Sequence, residues 1–364
     1  MDKIQAMSRA LQLAMRGTGY VAPNPRVGCV ILKNDLVIGE GWHKQYGDLH
    51  AEQMAIESCV ESVEGSTVVV NLEPCSHFGK QPPCAQSLID NKVAKVIIGI
   101  SDPNPLVQGN GISMLKSAGI EVELGVLENE CSWINRFFLK NVKNTSPYVI
   151  AKIGQSLDGC ISTIRGESKW ITSEHSRTIV HQMRAEVDAV LIGRVTALKD
   201  DPELTVRFAV GRNPKRVILD TNLSLPLSLK AFSDSHRKET IVCCSKKVAN
   251  SRKAENLKIA GVQVLGVSET SENRLLLHEV LVELYKSHQV TSIMVEGGAL
   301  VLSSFLQFDL VDELHMFTAP LVIGNGKHSF NTLYTPTLAD ARRFVYKGVS
   351  SCGDDIHIIT TRSL

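Results

Sequence analysis

Three side chains suited to binding zinc lie in the first quarter of the chain: His50, Cys75 and Cys84. Zinc in proteins prefers cysteine sulfur and histidine nitrogen, and a site with only three protein ligands keeps a fourth position open for water. Glu52 stands two residues after the histidine, where its carboxylate can carry protons to and from that water. The combination predicts a hydrolytic zinc site.

The spacing of the two cysteines departs from that of zinc deaminases acting on nucleobases, which use the same ligand types and glutamate. Those enzymes place two residues between the cysteines, whereas eight residues, 76–83, separate Cys75 from Cys84. A structural zinc site is an alternative, and it needs a fourth protein ligand, for which His77 is available. Glu52 could equally be a solvated residue in the first turn of a helix. The ligand count favours a catalytic zinc over a structural one.

Length, composition and charge limit the classes of protein to which the chain can belong. A chain of 364 residues predicts two domains, and 43% hydrophobic with 21% charged residues is typical of a globular protein. The formal net charge of +1 argues against nucleic acid as a partner. The sequence contains no apolar run long enough to cross a membrane, and its first residues predict an amphipathic helix instead of a signal peptide. Nine scattered cysteines fit a reducing cytoplasm.

Short apolar runs alternate with helical patterns in the first half, which predicts an α/β fold. Residues 27–32, 66–72, 93–100 and 121–126 are the predicted strands, and 50–63, 84–91, 112–118 and 127–140 the predicted helices. Both ligand clusters therefore fall where a loop meets a helix N-terminus, where the helix dipole favours thiolates. A polar, proline-ended stretch at 141–147 is typical of a linker, so we place the domains at 1–144 and 145–364.

The second half repeats the alternation of strands and helices. Residues 148–153, 189–193, 216–220, 240–244, 262–267 and 292–295 are predicted strands, 274–287 a helix, and 344–349 with 356–361 a hairpin. Gly297 and Gly298 follow a strand and open another helix, where backbone N–H groups can approach a phosphate. The sequence lacks G-x-G-x-x-G after a first strand, so an ordinary Rossmann domain is not supported.

Longer motifs spread over nearly the whole chain resemble the bifunctional riboflavin-biosynthesis deaminase/reductase family, the RibD family. The first half carries APNPRVG at 22–28, HAE at 50–52, EPCSHFGKQPPC at 73–84 and DPNP at 102–105. The second half carries SLDG at 156–159, GESKWIT at 166–172, DDPELTVR at 200–207 and EGG at 296–298. The order and length of these motifs make a chance resemblance implausible.

The resemblance implies an N-terminal, cytidine-deaminase-like domain of three α/β/α layers and a C-terminal, dihydrofolate-reductase-like α/β domain. The first would bind one Zn²⁺ and remove an amino group from a diaminopyrimidinone that carries a phosphoribosylamino arm. The second would reduce the ribosyl group to ribityl with NADPH. The resemblance also favours a homo-oligomer, a dimer or tetramer formed through the reductase domain, in the cytoplasm.

The resemblance assigns roles to individual residues. Glu52 would be the catalytic proton carrier, and the deaminase substrate would meet Asn24, His43, His77, Lys80, Asp102 and Asn104. The reductase substrate would meet Lys152, Ser168, Arg184, Leu204, Arg207 and Glu296. NADPH would meet Gly154, Trp170, Thr196, Asp200, Gly298, Ala299, Leu300, Val301, Leu302, Ser303 and Ser304. Lys152 and Asp200 are candidates for proton handling near the ribose.

Two other function classes compete with the bifunctional enzyme. A nucleoside or nucleic-acid zinc deaminase with an accessory domain predicts a two-residue cysteine gap and a basic face, and the sequence has neither. A zinc-stabilised binding module without catalysis predicts no glutamate beside the histidine and no cofactor-binding half. The sequence therefore favours a small phosphorylated pyrimidine as the ligand.

Overall fold

The computed structural model describes residues 1–76, 82–104 and 108–362. The chain divides into two compact units, Met1–Thr145 and Ser146–Leu364. His77 and Lys80, both predicted to contact the deaminase substrate, lie outside the described residues. In the described ranges no helix combines the length and apolar character that crossing a bilayer requires.

The first unit alternates strands and helices as the sequence predicts. Its strands are β1 (Gly28–Lys33), β2 (Leu36–Trp42), β3 (Thr67–Leu72), β4 (Lys95–Ile100) and β5 (Glu121–Leu124). Its helices are α1 (Lys3–Met15), α2 (Ala51–Glu57), α3 (Cys84–Asp90), α4 (Asn110–Ser117), α5 (Glu128–Ile134) and α6 (Arg136–Lys143).

The five strands form one sheet in the order β2-β1-β3-β4-β5, with β1 antiparallel to β2 and β3 and the rest parallel. Successive side chains of a strand point to opposite faces. Cys29 and Ile31 of β1 accordingly join one buried cluster with α2, α3 and α4, while Val30 and Leu32 join another with α1 and α5. Both faces are covered by helices, which confirms the three-layer α/β/α arrangement.

Strand β2 was not predicted, because two glycines interrupt its apolar pattern. A Cβ atom on Gly39 would lie 2.5 Å from the Ala55 carbonyl oxygen, and one on Gly41 would lie 2.3 Å from that of Ala51. The glycines therefore let helix α2, which begins directly after His50, pack on the backbone of the sheet.

The helix predicted at 127–140 is two helices, α5 and α6, separated at Asn135. The Asn135 side chain accepts a hydrogen bond from the Arg26 N–H at 2.8 Å and donates one to the Arg26 carbonyl at 3.0 Å. Asn71 also donates to that carbonyl, at 2.9 Å, and accepts from the N–H of Gly28 at 2.8 Å. Two buried amides thus fix the segment between Asn24 and β1.

The second unit also alternates strands and helices. Its strands are β6 (Tyr148–Ser156), β7 (Cys160–Ser162), β8 (Ala189–Gly193), β9 (Lys215–Leu219), β10 (Thr240–Ser245), β11 (Gln263–Val267), β12 (Ser292–Val295), β13 (Glu313–Ala319), β14 (Lys327–His328), β15 (Phe344–Cys352) and β16 (Asp355–Arg362). Its helices are α7 (Glu174–Glu186), α8 (Arg194–Asp200), α9 (Lys230–Ser233), α10 (Arg252–Ile259), α11 (Leu277–His288) and α12 (Ala299–Gln307).

Nine of these strands form one sheet in the order β11-β10-β9-β8-β12-β6-β13-β16-β15. The strands from β11 to β13 run parallel, and the predicted C-terminal hairpin, β15 with β16, closes one side in antiparallel fashion. The six strands and the helix predicted in this half are present. Parallel strands bring their carboxyl ends to one edge, where α/β proteins bind their ligands.

Candidate active sites

The zinc ligands predicted from the sequence come together at the carboxyl end of β3. His50 caps the N-terminus of α2, Cys84 is the first residue of α3, and Cys75 lies in the loop after β3. The backbone N–H of Cys84 donates to the Cys75 sulfur at 3.3 Å, so the start of α3 favours a thiolate there. The predicted positions at loop-to-helix junctions are confirmed.

The distances between the ligand atoms fit a zinc ion. His50 Nδ1 lies 3.2 Å from Cys84 Sγ and 3.5 Å from Cys75 Sγ. Tetrahedral zinc with its usual N and S bond lengths separates neighbouring ligand atoms by roughly 3.6 Å. The three atoms lie within 4.8 Å of one another. One borderline and two soft donors suit zinc better than magnesium or calcium, which prefer oxygen.

Glu52 lies in the first turn of α2 and is only 4% exposed, so it is not a solvated helix residue. Burial, followed by the neighbouring Cys75 thiolate, raises the pKa of its carboxyl group to about 7. A carboxyl group whose pKa lies near neutrality can both accept and donate a proton at physiological pH. The position and protonation of Glu52 therefore suit proton transfer beside the zinc site.

Asn24 and His43 form a hydrogen-bonded pair, and the ring of His43 lies beside that of His50. His43 Nδ1 is 3.0 Å from the Leu49 carbonyl, which can only accept, so this nitrogen carries the proton. Its Nε2 is then the acceptor for the Asn24 amide at 3.1 Å. The His43 ring meets the His50 ring edge-on at 5.7 Å between centroids, and burial lowers its pKa. His43 thus links Asn24 to His50, one of the three possible zinc ligands.

Asp102 and Asn104 lie in a loop held by Glu73, a residue to which the sequence analysis assigned no role. The buried Glu73 carboxylate accepts backbone hydrogen bonds from Asp102 at 3.1 Å, Gly109 at 3.2 Å and Ile112 at 3.2 Å. The Asp102 side chain in turn accepts the N–H of Asn104 at 2.9 Å. In the sequence, only the position of Glu73 directly before Pro74-Cys75 indicated that it lies near the predicted zinc site.

A cleft of about 1770 Å³ opens in the second unit at the carboxyl ends of its parallel strands. Most of the predicted reductase residues line it: Lys152, Gly154, Ser168, Trp170, Arg184, Thr196, Asp200, Arg207, Glu296, Gly298, Ala299, Leu300, Val301, Leu302 and Ser304. Leu204 and Ser303 are buried and do not belong to its lining. One cleft thus gathers the positions predicted for substrate and for cofactor.

Glu296 forms the charged centre of the cleft. Arg184 donates to both of its carboxylate oxygens, at 2.7 Å through Nε and 3.0 Å through Nη2, and Lys152 Nζ lies 3.2 Å from one of them. Burial opposes ionisation of Glu296, but the two cations outweigh it and lower its pKa to about 2. The cluster carries one net positive charge, which suits an anionic ligand.

His181 also lines the cleft, although the sequence analysis did not single it out. Its Nδ1 accepts the backbone N–H of Arg207 at 2.9 Å, and the Arg207 side chain pairs with Glu203 at 2.6 Å. The available signal was Ser173, which caps α7 and predicts a helix that places His181 one turn before Arg184.

The cofactor positions meet at the N-terminus of α12. The N–H of Gly298 donates to Thr196 Oγ1 at 3.2 Å, which joins the N-cap of α12 to helix α8. A Cβ atom on Gly193, the last residue of β8, would lie 2.6 Å from the Val301 side chain, so glycine lets α12 pack closely against the end of β8. Trp170, 72% exposed, stacks under the Arg177 guanidinium at 4.3 Å.

Known proteins match both units. Residues 147–358 match the family described as RibD C-terminal domain, and residues 1–100 match the cytidine and deoxycytidylate deaminase zinc-binding region. The riboflavin biosynthesis protein RibD of Aquifex aeolicus is 40% identical over 98% of this chain and 97% of its own length. That of Escherichia coli is 38% identical over 96% of both chains.

The chain belongs to the RibD family. Two solved structures agree along the whole chain. Acinetobacter baumannii RibD is 36% identical, with a TM-score of 0.86 over 100% of this chain and 99% of its own. A Thermotoga maritima diaminohydroxyphosphoribosylaminopyrimidine deaminase/5-amino-6-(5-phosphoribosylamino)uracil reductase is 37% identical, with a TM-score of 0.88 over 99% of both chains.

Membership of the RibD family establishes a bifunctional enzyme of riboflavin biosynthesis, with a zinc-dependent deaminase domain and a reductase domain. The predicted cofactors, one zinc ion and NADPH, are those of this enzyme class, and the His-Cys-Cys cluster is the matching metal site. The nucleic-acid deaminase and the non-catalytic zinc module are thereby excluded as descriptions of the whole chain.

Proposed function

We propose that Glu52 is the catalytic proton carrier of the deaminase and that His50, Cys75 and Cys84 hold its zinc. The observation that supports this most strongly is the burial of Glu52 two residues after His50, which belongs to the cluster of three possible zinc ligands. Zinc in such a three-ligand site supplies an acidic water, with a pKa of about 7. Glu52 would take the proton, pass it to the ring nitrogen and assist the departure of ammonia.

The substrate is the diaminopyrimidinone whose phosphoribosylamino arm carries a phosphate monoester. Asn24 and His43 are proposed to hold the pyrimidine, because they form a hydrogen-bonded pair whose histidine ring lies against that of His50. Asp102 and Asn104 are proposed to contact the arm from the loop that Glu73 fixes. His77 and Lys80 remain predictions from the sequence, Lys80 as the counter-charge to the phosphate.

In the reductase cleft, the substrate is proposed to bind between Lys152, Arg184, Arg207 and Glu296. NADPH supplies the hydride, so the protein has to orient the reacting carbons and handle charge. Lys152 and Asp200 are the candidates for moving the accompanying proton. The cofactor is proposed to lie along Thr196 and the start of α12, where backbone N–H groups suit its phosphates. Trp170 and Gly154 would border the cofactor, and Ser168 the substrate.

We further propose a domain boundary between residues 144 and 145, a cytoplasmic location, and a dimer or tetramer formed through the reductase domain. The proposed boundary lies one residue before the division between the compact units Met1–Thr145 and Ser146–Leu364, which supports it. The oligomer rests on the family resemblance and is measured by sedimentation of the purified protein.

A two-stage assay tests the residue roles. The purified protein receives the diaminopyrimidinone phosphate; ammonia release is measured first, then NADPH absorbance. Glu52→Ala should lower ammonia release by about 10²- to 10⁴-fold, leave bound zinc in place and leave NADPH oxidation on the deaminated substrate intact. Glu57→Ala, at the exposed end of the same helix, is the matched control. Ammonia release at the parental rate by the Glu52 variant would refute its catalytic role.

A further inference from the structure

His181 lies on the face of α7 that forms the wall of the reductase cleft. It precedes Arg184 by three residues, so the two side chains occupy one side of the helix, and both line the cleft. The His181 ring is 4% exposed and meets the Phe208 ring edge-on at 4.8 Å between centroids. The ring is therefore held in one orientation by its surroundings.

The hydrogen bond from Arg207 fixes the tautomer of His181. A backbone N–H can only donate, so Nδ1, 2.9 Å from the Arg207 nitrogen, presents its lone pair. In the neutral ring the proton then resides on Nε2. Burial, followed by the charges of Arg184 and Arg207, lowers the pKa of His181 to about 4, so the ring is uncharged at physiological pH.

The Nε2–H group of His181 has no acceptor within the part of the chain that the structure describes, and the ring borders the open cleft. A donor that opens to a cleft and has no protein acceptor can bond water or a bound ligand. Among the residues that the structure describes, four charged groups lie near enough to act on the ring: Arg184, Arg207 and Lys152 are cations, and Glu296 is the one anion. Arg184 is paired with Glu296 and Arg207 with Glu203. A donor beside two guanidinium groups suits an anionic oxygen.

We propose that His181 is a specificity-determining residue of the reductase, and that its Nε2–H donates a hydrogen bond to the phosphate monoester of the substrate. The inference rests on the proposed placement of the substrate between Arg184 and Arg207. NADPH also carries phosphates, but its proposed site lies along Thr196 and α12, whereas His181 contacts the backbone of Arg207. An uncharged donor adds directional selectivity to the attraction that the two arginines provide.

Three variants distinguish the role of the Nδ1 acceptor from that of the Nε2 donor of His181. His181→Asn keeps an acceptor near Nδ1 for the Arg207 N–H and removes the donor at Nε2. His181→Gln keeps a donor near Nε2, and His181→Phe keeps the ring shape without either polar atom. Each is assayed with the deaminated phosphoribosyl substrate and with the same compound after removal of its phosphate. Urea unfolding followed by circular dichroism in the same preparations reports whether the second unit, which contains His181, is folded.

The Asn and Phe variants should lose about 10- to 100-fold in kcat/KM on the phosphorylated substrate, mainly through KM. Their kcat/KM on the dephosphorylated compound should stay within a factor of about two, and His181→Gln should recover most of the loss. Equal losses on both compounds, a raised KM for NADPH alone, or unchanged kinetics would each overturn the proposal. A parental enzyme that does not oxidise NADPH with this substrate would refute the proposed function itself, which is a distinguishable result.

Discussion

Arg184 and Glu296 form a two-point ion pair inside the reductase cleft, with N–O distances of 2.7 and 3.0 Å. The third nitrogen of the guanidinium donates to the carbonyl of Thr205 at 3.0 Å. Helix α7 is thereby tied both to the end of β12 and to the segment that leads to Arg207. The pair holds the cleft wall in place and leaves Lys152 as a second cation on the same carboxylate.

Removing one partner of this pair should destabilise the second unit more than removing both. Glu296→Leu leaves a buried guanidinium without its counter-charge, a change that costs roughly 3–5 kcal/mol. We expect NADPH oxidation to be lost and the free energy of unfolding of the second unit to fall by a similar amount, measured by urea titration. The double variant Arg184→Met with Glu296→Leu should recover part of the stability but none of the activity.

Arg184→Lys is the control for charge alone, because an ammonium group cannot make the two parallel hydrogen bonds. It should keep most of the stability and lose reductase activity. Equal stability of Glu296→Leu and the parental protein would contradict the assignment of a buried, interdependent pair. Ammonia release should not change in any of these variants.

Much of the fold could be predicted because local patterns agree with the tertiary structure. The runs 189–193 and 292–295 coincide with β8 and β12, since parallel strands buried on both faces are continuously apolar. Two features were not predicted, because each depends on a contact with residues far away in the sequence. Strand β2 contains glycines because α2 packs on its backbone, and the break between α5 and α6 depends on Asn135 reaching Arg26.

The candidate sites were predicted unevenly for a similar reason. The zinc cluster and Glu52 could be predicted because a histidine, two cysteines and a nearby glutamate at this spacing are typical of a catalytic zinc site. Glu73 and His181 are ordinary residue types, and their positions become informative only when three backbone N–H groups or the Arg207 N–H are seen to meet them. Leu204 illustrates the converse, since it was predicted at the substrate but is buried outside the cleft lining.

Removing zinc should abolish the deaminase and spare the reductase. The zinc ligands belong to the first unit, and the cleft belongs to the second. We expect a zinc chelator, or Cys84→Ser, to eliminate ammonia release while NADPH oxidation on the deaminated substrate continues. Zinc content is measured by atomic emission. Cys59→Ser, half-buried outside the cluster, should keep both zinc and activity. Ammonia release without bound zinc would contradict the metal assignment.

Glu73 should govern how well the deaminase binds its substrate. Glu73→Leu removes the acceptor of three backbone N–H groups, each worth roughly 1–3 kcal/mol when left unpaired. We expect a destabilised first unit and a KM for the diaminopyrimidinone raised at least about tenfold, because the loop that carries Asp102 and Asn104 is released.

Glu73→Gln keeps one carbonyl acceptor and should show an intermediate KM with zinc content unchanged. Glu64→Gln, an exposed glutamate paired with Lys92, is the control. A lower kcat with the parental KM in both Glu73 variants would argue against a role in positioning the loop.

The second unit should lose stability as the pH falls from about 6.5 to about 4. Burial, followed by the charges of Arg184 and Arg207, lowers the pKa of His181 to about 4. Burial, followed by the charge of His315, lowers the pKa of His357 to about 4 as well. Between these pH values the two histidines bind protons in the unfolded chain but not in the folded one. The free energy of unfolding therefore decreases as the pH falls. Glu296 adds a separate loss below pH 4.5, since its pKa falls to about 2 in the folded protein.

Urea unfolding followed by circular dichroism at successive pH values measures the effect. In the double variant His181→Gln with His357→Gln, the free energy of unfolding should decrease less between pH 6.5 and 4 than in the parental protein. Neither glutamine can take up a proton on unfolding, whereas the two histidines can. His278→Gln, at an exposed position of α11, controls for the substitution itself. If the double variant and the parental protein lose stability in parallel over this range, the two buried histidines are not the source of the pH dependence.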